Sequence, residues 1–133
     1  QDLLINNLEK IFQHNITYKK QDESKATYAK KITSDLRKID FNQDVQMVYN
    51  KIRAFSPKPS AWFFYNNERI NILKCSIVKC QTEKSTILNN KFHIGCKNGK
   101  IVPEIIQRQG KKPMKIEEFL RGFKLEIDHK LNA

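Results

Sequence analysis

The residue types able to carry out covalent or acid–base chemistry are few in this chain, and they are scattered. His14, His93 and His129 fall in different parts of the sequence. His93 stands between Phe92 and Ile94, so on a strand it points away from the face its neighbours bury and is expected at the surface. Glu117 and Glu118 are adjacent, which splays them on a helix and reads as solvated surface. Cys75, Cys80 and Cys96 are odd in number and form no CxxC pair, as expected for reduced thiols, partly buried, rather than a zinc or redox site. There is no glycine-rich phosphate loop, no nucleophile elbow and no HExxH. The reading is therefore of no catalytic residue, no metal ligand and no cofactor-binding residue within this stretch.

What the sequence does supply is positive charge. Lysines and arginines number 25 against 14 aspartates and glutamates, a net charge of +11, and the isoelectric point is near 9.7. Such an excess favours a polyanion, nucleic acid or an anionic membrane surface. A/T-rich coding, which enriches Lys, Asn and Ile together, is the competing source of the same excess. The longest apolar runs are too short to cross a bilayer and no signal peptide opens the chain, so a cytoplasmic protein without a membrane partner is expected. The cations cluster at Lys19-Lys20, Lys30-Lys31, Lys51 with Arg53, Lys58 and Lys111-Lys112, in linkers, turns or helix faces. Flexible ammonium groups in such places suit phosphates, which are bound without sequence readout. The run Trp62, Phe63, Phe64 and Tyr65 offers stacking faces, but a period-two strand sends half of it inward, so core is its first reading.

These groups must be positioned by an ordered frame. Leu4, Leu8, Ile11 and Phe12 share one face of a helix over residues 3–12, and Asn15 to Lys25 reads as a linker. Asn42 or Asp44 caps the next helix, whose apolar positions are Val45, Val48, Ile52 and Phe55; Pro57 and Pro59 end it. The period then changes to two. Residues 60–65 and 68–80 form a hairpin about Asn66-Asn67, followed by strands at 85–88, 91–96 and 99–109 separated at Asn89-Asn90 and Asn98-Gly99. Pro103 marks an edge or a bulge, residues 115–121 a short helix, and the tail from Lys124 is expected to fray. About five short strands and a few helices make a mainly β (α+β) domain. A small, partly open barrel of the OB type is the expected form, with a β-sandwich as the competitor.

Three segments carry a resemblance. ATYAKKI (26–32) with RKIDF (37–41), IRAFSPKPSAW (52–62), and IIQRQGKKPM (105–114) with EFLRG (118–122) resemble, in order and spacing, the linker and C-terminal domain of methionyl-tRNA formyltransferases. The resemblance implies a fragment: the last helix of a catalytic domain at 1–14, a linker at 15–37 and an OB-like domain at 38–133. It implies that the full-length protein formylates initiator methionyl-tRNA from 10-formyltetrahydrofolate through its own N-terminal catalytic domain, acting as a monomer. This part would orient the tRNA. Carried over residue by residue, Lys31 matches the linker lysine, with Lys30 in its variable position; Arg53 matches the arginine of IRAF, and Lys111-Lys112 the GKK turn. Lys58 is an added charge where the family's Pro-Trp-Pro-Gly becomes Pro57-Lys58-Pro59-Ser60, and Phe41 stands where the family often has Trp. Arg53 has a second reading, tying down the turn through backbone carbonyls. A related formyltransferase acting on a sugar nucleotide or folate, and a free-standing RNA-binding module, are the other readings of the chain.

Overall fold

The structure, a computed structural model, describes residues 2–17 and 19–131. The chain forms two compact units, residues 1–31 and 32–133, and the expected linker straddles their division.

In the first unit the expected single helix is two, α1 (Asp2–Ile5) and α2 (Leu8–Phe12). The break falls at Asn6-Asn7. The Asn7 side chain donates to the Leu3 carbonyl at 2.7 Å, the kind of local bond by which asparagine competes with helix continuation. Leu3, Leu4 and Phe12 are exposed. The other described residues of this unit are extended or irregular apart from one short 3₁₀ turn, Glu23–Lys25, which Asp22 caps.

In the second unit, α3 (Ser34–Arg37) is capped by the Thr33 hydroxyl. Helix α4 (Val45–Phe55) is capped by Asp44, not Asn42: one carboxylate oxygen accepts from the Gln46 amide at 2.9 Å, the other from the Asn98 side chain at 2.8 Å. Val45, Val48 and Ile52 form its buried stripe, and it stops at Phe55, ahead of Pro57. Strands β1 (Ala61–Tyr65) and β2 (Glu68–Val78) make the expected hairpin. Asn66 and Asn67 both have positive φ, 47° and 62°, which asparagine adopts at low cost and a tight hairpin turn demands. Strands β3 (Ile94–Cys96) and β4 (Gly99–Arg108) form a second hairpin, and β5 (Met114–Lys115) leads into α5 (Ile116–Arg121).

These strands form one antiparallel, five-stranded sheet in the order β1-β2-β4-β3, with β5 also on β4. It is open and does not close into a barrel; with one sheet among the described residues, the sandwich alternative is excluded. The class is mainly β, α+β. Ile70, Ile72, Ile101 and Ile106 of the inner face pack with the α4 stripe and with Phe41, Phe63 and Phe92. Phe41 is buried edge-on against Phe63, ring centres 5.1 Å apart.

Three expectations are corrected. Residues 85–88 are not a regular strand, because Ser85 takes a φ of 55° and breaks the extended run; Thr86 and Ile87 make only isolated bridges. The expected strand at 91–96 keeps only its last residues, since Phe92 turns at a φ of 61°. The tail is tied down as far as Leu131, and its last two residues lie outside the described ones. Leu131 is buried, its amide donates to the Ser85 carbonyl at 2.7 Å, and the Ser85 hydroxyl donates to the Leu131 carbonyl at 2.7 Å. The Tyr65 hydroxyl accepts from the Glu126 amide at 2.8 Å.

Pro103 lies in a strand with neighbours on both sides, yet β3 pairs with residues 99–101 of β4 and β5 with 105–106. Between them β4 is locally an edge, where proline is tolerated. The irregularity in register sits opposite, around Lys74 of β2.

Candidate nucleic-acid interface

Strand alternation gives the sheet a second face. With Ala61, Phe63 and Tyr65 turned inward, Trp62 and Phe64 of β1 point the other way, as do Arg69 and Asn71 of β2, which flank the buried Ile70 and Ile72. Register pairs Phe64 with Arg69, Trp62 with Asn71, and Asn71 with Gln107 of β4. Trp62 is largely covered: its indole N–H donates to the Ser34 carbonyl at 3.1 Å, and the Arg69 guanidinium lies 4.5 Å above its ring. Phe64 meets Trp62 edge-on, centroids 5.1 Å apart, and stays 44% exposed.

Two flanking elements bring charge to this face. Arg37, at the end of α3, donates to the carbonyls of Pro59 (2.6 Å) and Ser60 (3.0 Å), holding the loop that enters β1. The Gln107 side chain donates to the Lys111 carbonyl at 2.7 Å and fixes the turn carrying Lys111 and Lys112 beside the sheet. Desolvation, and then the nearby charge of Arg37, lower the pKa of the Arg69 guanidinium. Its Nε and the Asn71 Oδ1 are buried without a hydrogen-bond partner.

The structure divides the residues singled out from sequence. Lys111 and Lys112 are exposed in the turn after β4. Arg53 is exposed on α4, which covers the opposite, inner face of the sheet, and its guanidinium lies 5.2 Å from the Tyr49 ring centre. The tie to backbone carbonyls envisaged for Arg53 is made by Arg37. Lys58 is exposed in the loop after α4, and Lys30 and Lys31 are exposed in the first unit. Lys51, in contrast, spends its ammonium group on the Lys38 carbonyl at 2.9 Å. Sequence reasoning passed over Arg37 and Arg69. For Arg69 a signal was present: alternation from Ile70 and Ile72 puts it on the outer face, across the hairpin from Phe64.

A cleft of about 740 Å³ opens where β3 and β5 leave β4 unpaired, lined by Lys91, His93, Pro103, Lys115, Ile116 and Leu120 among others. His93 is half-buried rather than at the surface, bonded to the Asn89 amide at 3.0 Å. Burial first, and then Lys100 and Lys91, hold its pKa below the ordinary 6.5. Ile116 and Leu120 also pack on the core, so the cleft is a seam between α5 and the sheet. The three cysteines are free thiols; burial raises Cys75 and Cys96 to about 12, which leaves them unreactive. No cluster among the described residues could hold a metal ion. No helix of the described residues is long and apolar enough to cross a membrane.

Residues 31–124 match the family described as formyl transferase, C-terminal domain. The chain is 39% identical over 120 residues to methionyl-tRNA formyltransferase of Pelagibacter ubique (strain HTCC1062), covering 90% of this chain and 39% of that protein. It is 34% identical over 132 residues to methionyl-tRNA formyltransferase of Clostridium novyi (strain NT), covering 96% and 43%. The chain thus spans about two-fifths of the length of these relatives. Among solved structures, HypX from Aquifex aeolicus in complex with tetrahydrofolic acid superposes with a TM-score of 0.70 at 17% identity, over 99% of this chain and 26% of that one, a likeness of fold. The open sheet, the capped α4 and the basic turn after β4 are therefore this sequence's version of a known domain, and the chain belongs to the formyl transferase C-terminal domain family.

Proposed function

We propose that this chain is the tRNA-holding C-terminal part of a cytoplasmic methionyl-tRNA formyltransferase. The whole protein, a monomer, would transfer formyl from 10-formyltetrahydrofolate to the methionyl amine of initiator tRNA. This part binds and orients the tRNA and takes no part in the chemistry itself. One observation carries the reading: Lys30, Lys31, Arg53, Lys58, Lys111 and Lys112 are all exposed, and among the described residues none is in an ion pair. A net charge of +11 left so largely uncompensated suits a polyphosphate backbone. Holding the substrate in register contributes to catalysis by removing translational and rotational freedom ahead of the chemical step. A formyltransferase acting on a small molecule would have no use for a basic surface this broad.

Fluorescence anisotropy of initiator and elongator tRNAs, titrated with salt, tests this. Steep and similar salt dependence for both is expected, with tRNA choice residing outside this part. Lys31→Ala and Lys111→Ala should each weaken binding and reduce the slope of log K against log salt by about 1. Unchanged slopes in both variants would remove those residues from the interface. Absence of tRNA binding at low salt would turn the reading to the small-molecule relative.

A further inference from the structure

Phe64 is the one aromatic of β1 that the fold leaves open: Phe63 and Tyr65 are 1% exposed and Trp62 7%, against 44% for Phe64. A single exposed apolar side chain is ordinary on a protein surface, and its setting decides what it can do. Here it is braced. Trp62 fixes its ring edge-on, and Trp62 is in turn fixed by the Ser34 carbonyl on one side and by Arg69 above. The exposed ring is thus a preorganised flat surface.

Its surroundings are cationic and amide-bearing. Arg69 is the cross-strand partner of Phe64, and Asn71 and Gln107 continue the face, which carries no carboxylate at any of these positions. Among the described residues, the Arg69 side chain makes no hydrogen bond or ion pair; its stack on Trp62 alone orients it. Arg37 borders the same corner: it holds the Pro59 and Ser60 carbonyls just ahead of Trp62, the ring over which Arg69 lies, so a second guanidinium flanks the site. Gln107 also donates to the Lys111 carbonyl, which sets the β4–β5 turn at the border of this face. An apolar protein partner would match the ring and not the uncompensated guanidiniums. An unpaired nucleotide matches both, through its π-face and its phosphate.

We infer that this outer sheet face seats one unpaired nucleotide of an RNA, its base stacked on Phe64 and its phosphate held by Arg69 with Arg37. The inference rests on the RNA-binding reading above and sharpens it from general phosphate attraction to a base-contacting site.

The test uses the whole chain and two probes, a single-stranded oligoadenylate and an abasic oligomer of the same length. Trp62 is the chain's lone tryptophan, so quenching of its fluorescence reports occupancy at this face. Base stacking on an aromatic side chain is worth roughly tenfold or more in affinity. Oligoadenylate should therefore bind about tenfold tighter than the abasic probe and quench Trp62. Phe64→Leu, which keeps an apolar side chain of similar bulk, should abolish that difference and leave the salt slope unchanged. Phe64→Tyr, which keeps the ring, should retain it. Arg69→Gln should instead lower the slope by about 1 for both probes. Equal affinity for the two probes, or a Phe64→Leu variant that behaves as the parent, overturns the nucleotide seat. With steep binding of tRNA intact, such a result leaves the tRNA-holding reading standing; loss of tRNA binding at low salt would take both down.

Discussion

At the scale of single residues, the structure rewards positions whose role is set by distant backbone. Gly95 is the clearest case: a Cβ added there would lie 1.8 Å from the Glu83 carbonyl oxygen. Its amide and carbonyl are also both engaged, by Thr86 and Ser85, so the strand cannot back away without losing those bonds. Gly95→Ala should cost about 1–3 kcal/mol or more, lowering the melting temperature by several degrees in differential scanning fluorimetry. Gly122→Ala, where nothing lies within 4 Å of the added carbon, is the matched control and should change little. None of this is written in the local sequence, where Gly95 sits in an ordinary apolar run. The same blindness explains the two arginines. Arg53 looked like a turn anchor because it precedes the prolines, but the anchor is Arg37, which reaches carbonyls 22 and 23 residues away. Residue spacing reports neighbours within a turn or two, and not partners across a fold.

Elements governed by local rules were correspondingly legible. Helix α4 was readable because a cap, an apolar stripe and a proline stop all agree, and the Asn66-Asn67 hairpin because both turn residues tolerate positive φ. The segment 85–88 reads as a strand from its residue pattern, whereas its left-handed Ser85 bonds to Leu131, 46 residues away, a contact no local pattern reports. The α4 cap also gives a pH dependence. The Gln46 amide, followed by the Asn98 side chain, holds the Asp44 pKa below the ordinary 3.8. A carboxylate with a depressed folded-state pKa stabilises above its unfolded value, and that contribution is lost as pH falls through the folded one. The Asp44 contribution is thus complete above about pH 5 and fades below about pH 4. Asp44→Asn keeps a capping oxygen and cannot titrate, so its melting temperature should fall less steeply with acid over that range. Parallel slopes for the two proteins would show that the cap is not ionic in origin.

For the second unit as a whole, the tail acts as a clasp. Residues 126–131 bond to Tyr65 on β1 and to Ser85 and Ile87 on the loop beside β3, joining opposite ends of the strand order β1-β2-β4-β3. The ring of Tyr65 is buried among Phe92, Phe123 and the tail's own His129, contacts that a phenylalanine keeps, so removing the hydroxyl isolates its bond to the Glu126 amide. Tyr65→Phe should therefore remove about 0.5–1.5 kcal/mol and speed amide exchange at Glu126, with less change in the β2–β4 ladder. Uniform acceleration across the sheet would instead mean that the tail and the core open together. The open-sheet form itself was only half legible from sequence. Strand count and hairpins came from periodicity, whereas whether the ends of the sheet meet depends on residues such as Ile39 and Leu131, which pack from outside it.

Those same flanking segments bear on how copies of the chain behave when crowded. The outer edge of β1 is engaged where the Ile39 amide donates to the Trp62 carbonyl at 2.7 Å, and β3 is bordered by Ser85 and Thr86, each bonded to Gly95. The stretch of β4 left unpaired between β3 and β5 contains Pro103, which has no N–H to offer an incoming strand. An open sheet is ordinarily a template for its own polymerisation. Here each of these edges is either occupied or chemically mute, and the surplus of positive charge repels one copy from the next. Resistance to fibril growth is thus built into the connections of the fold, independently of whatever polyanion it grips.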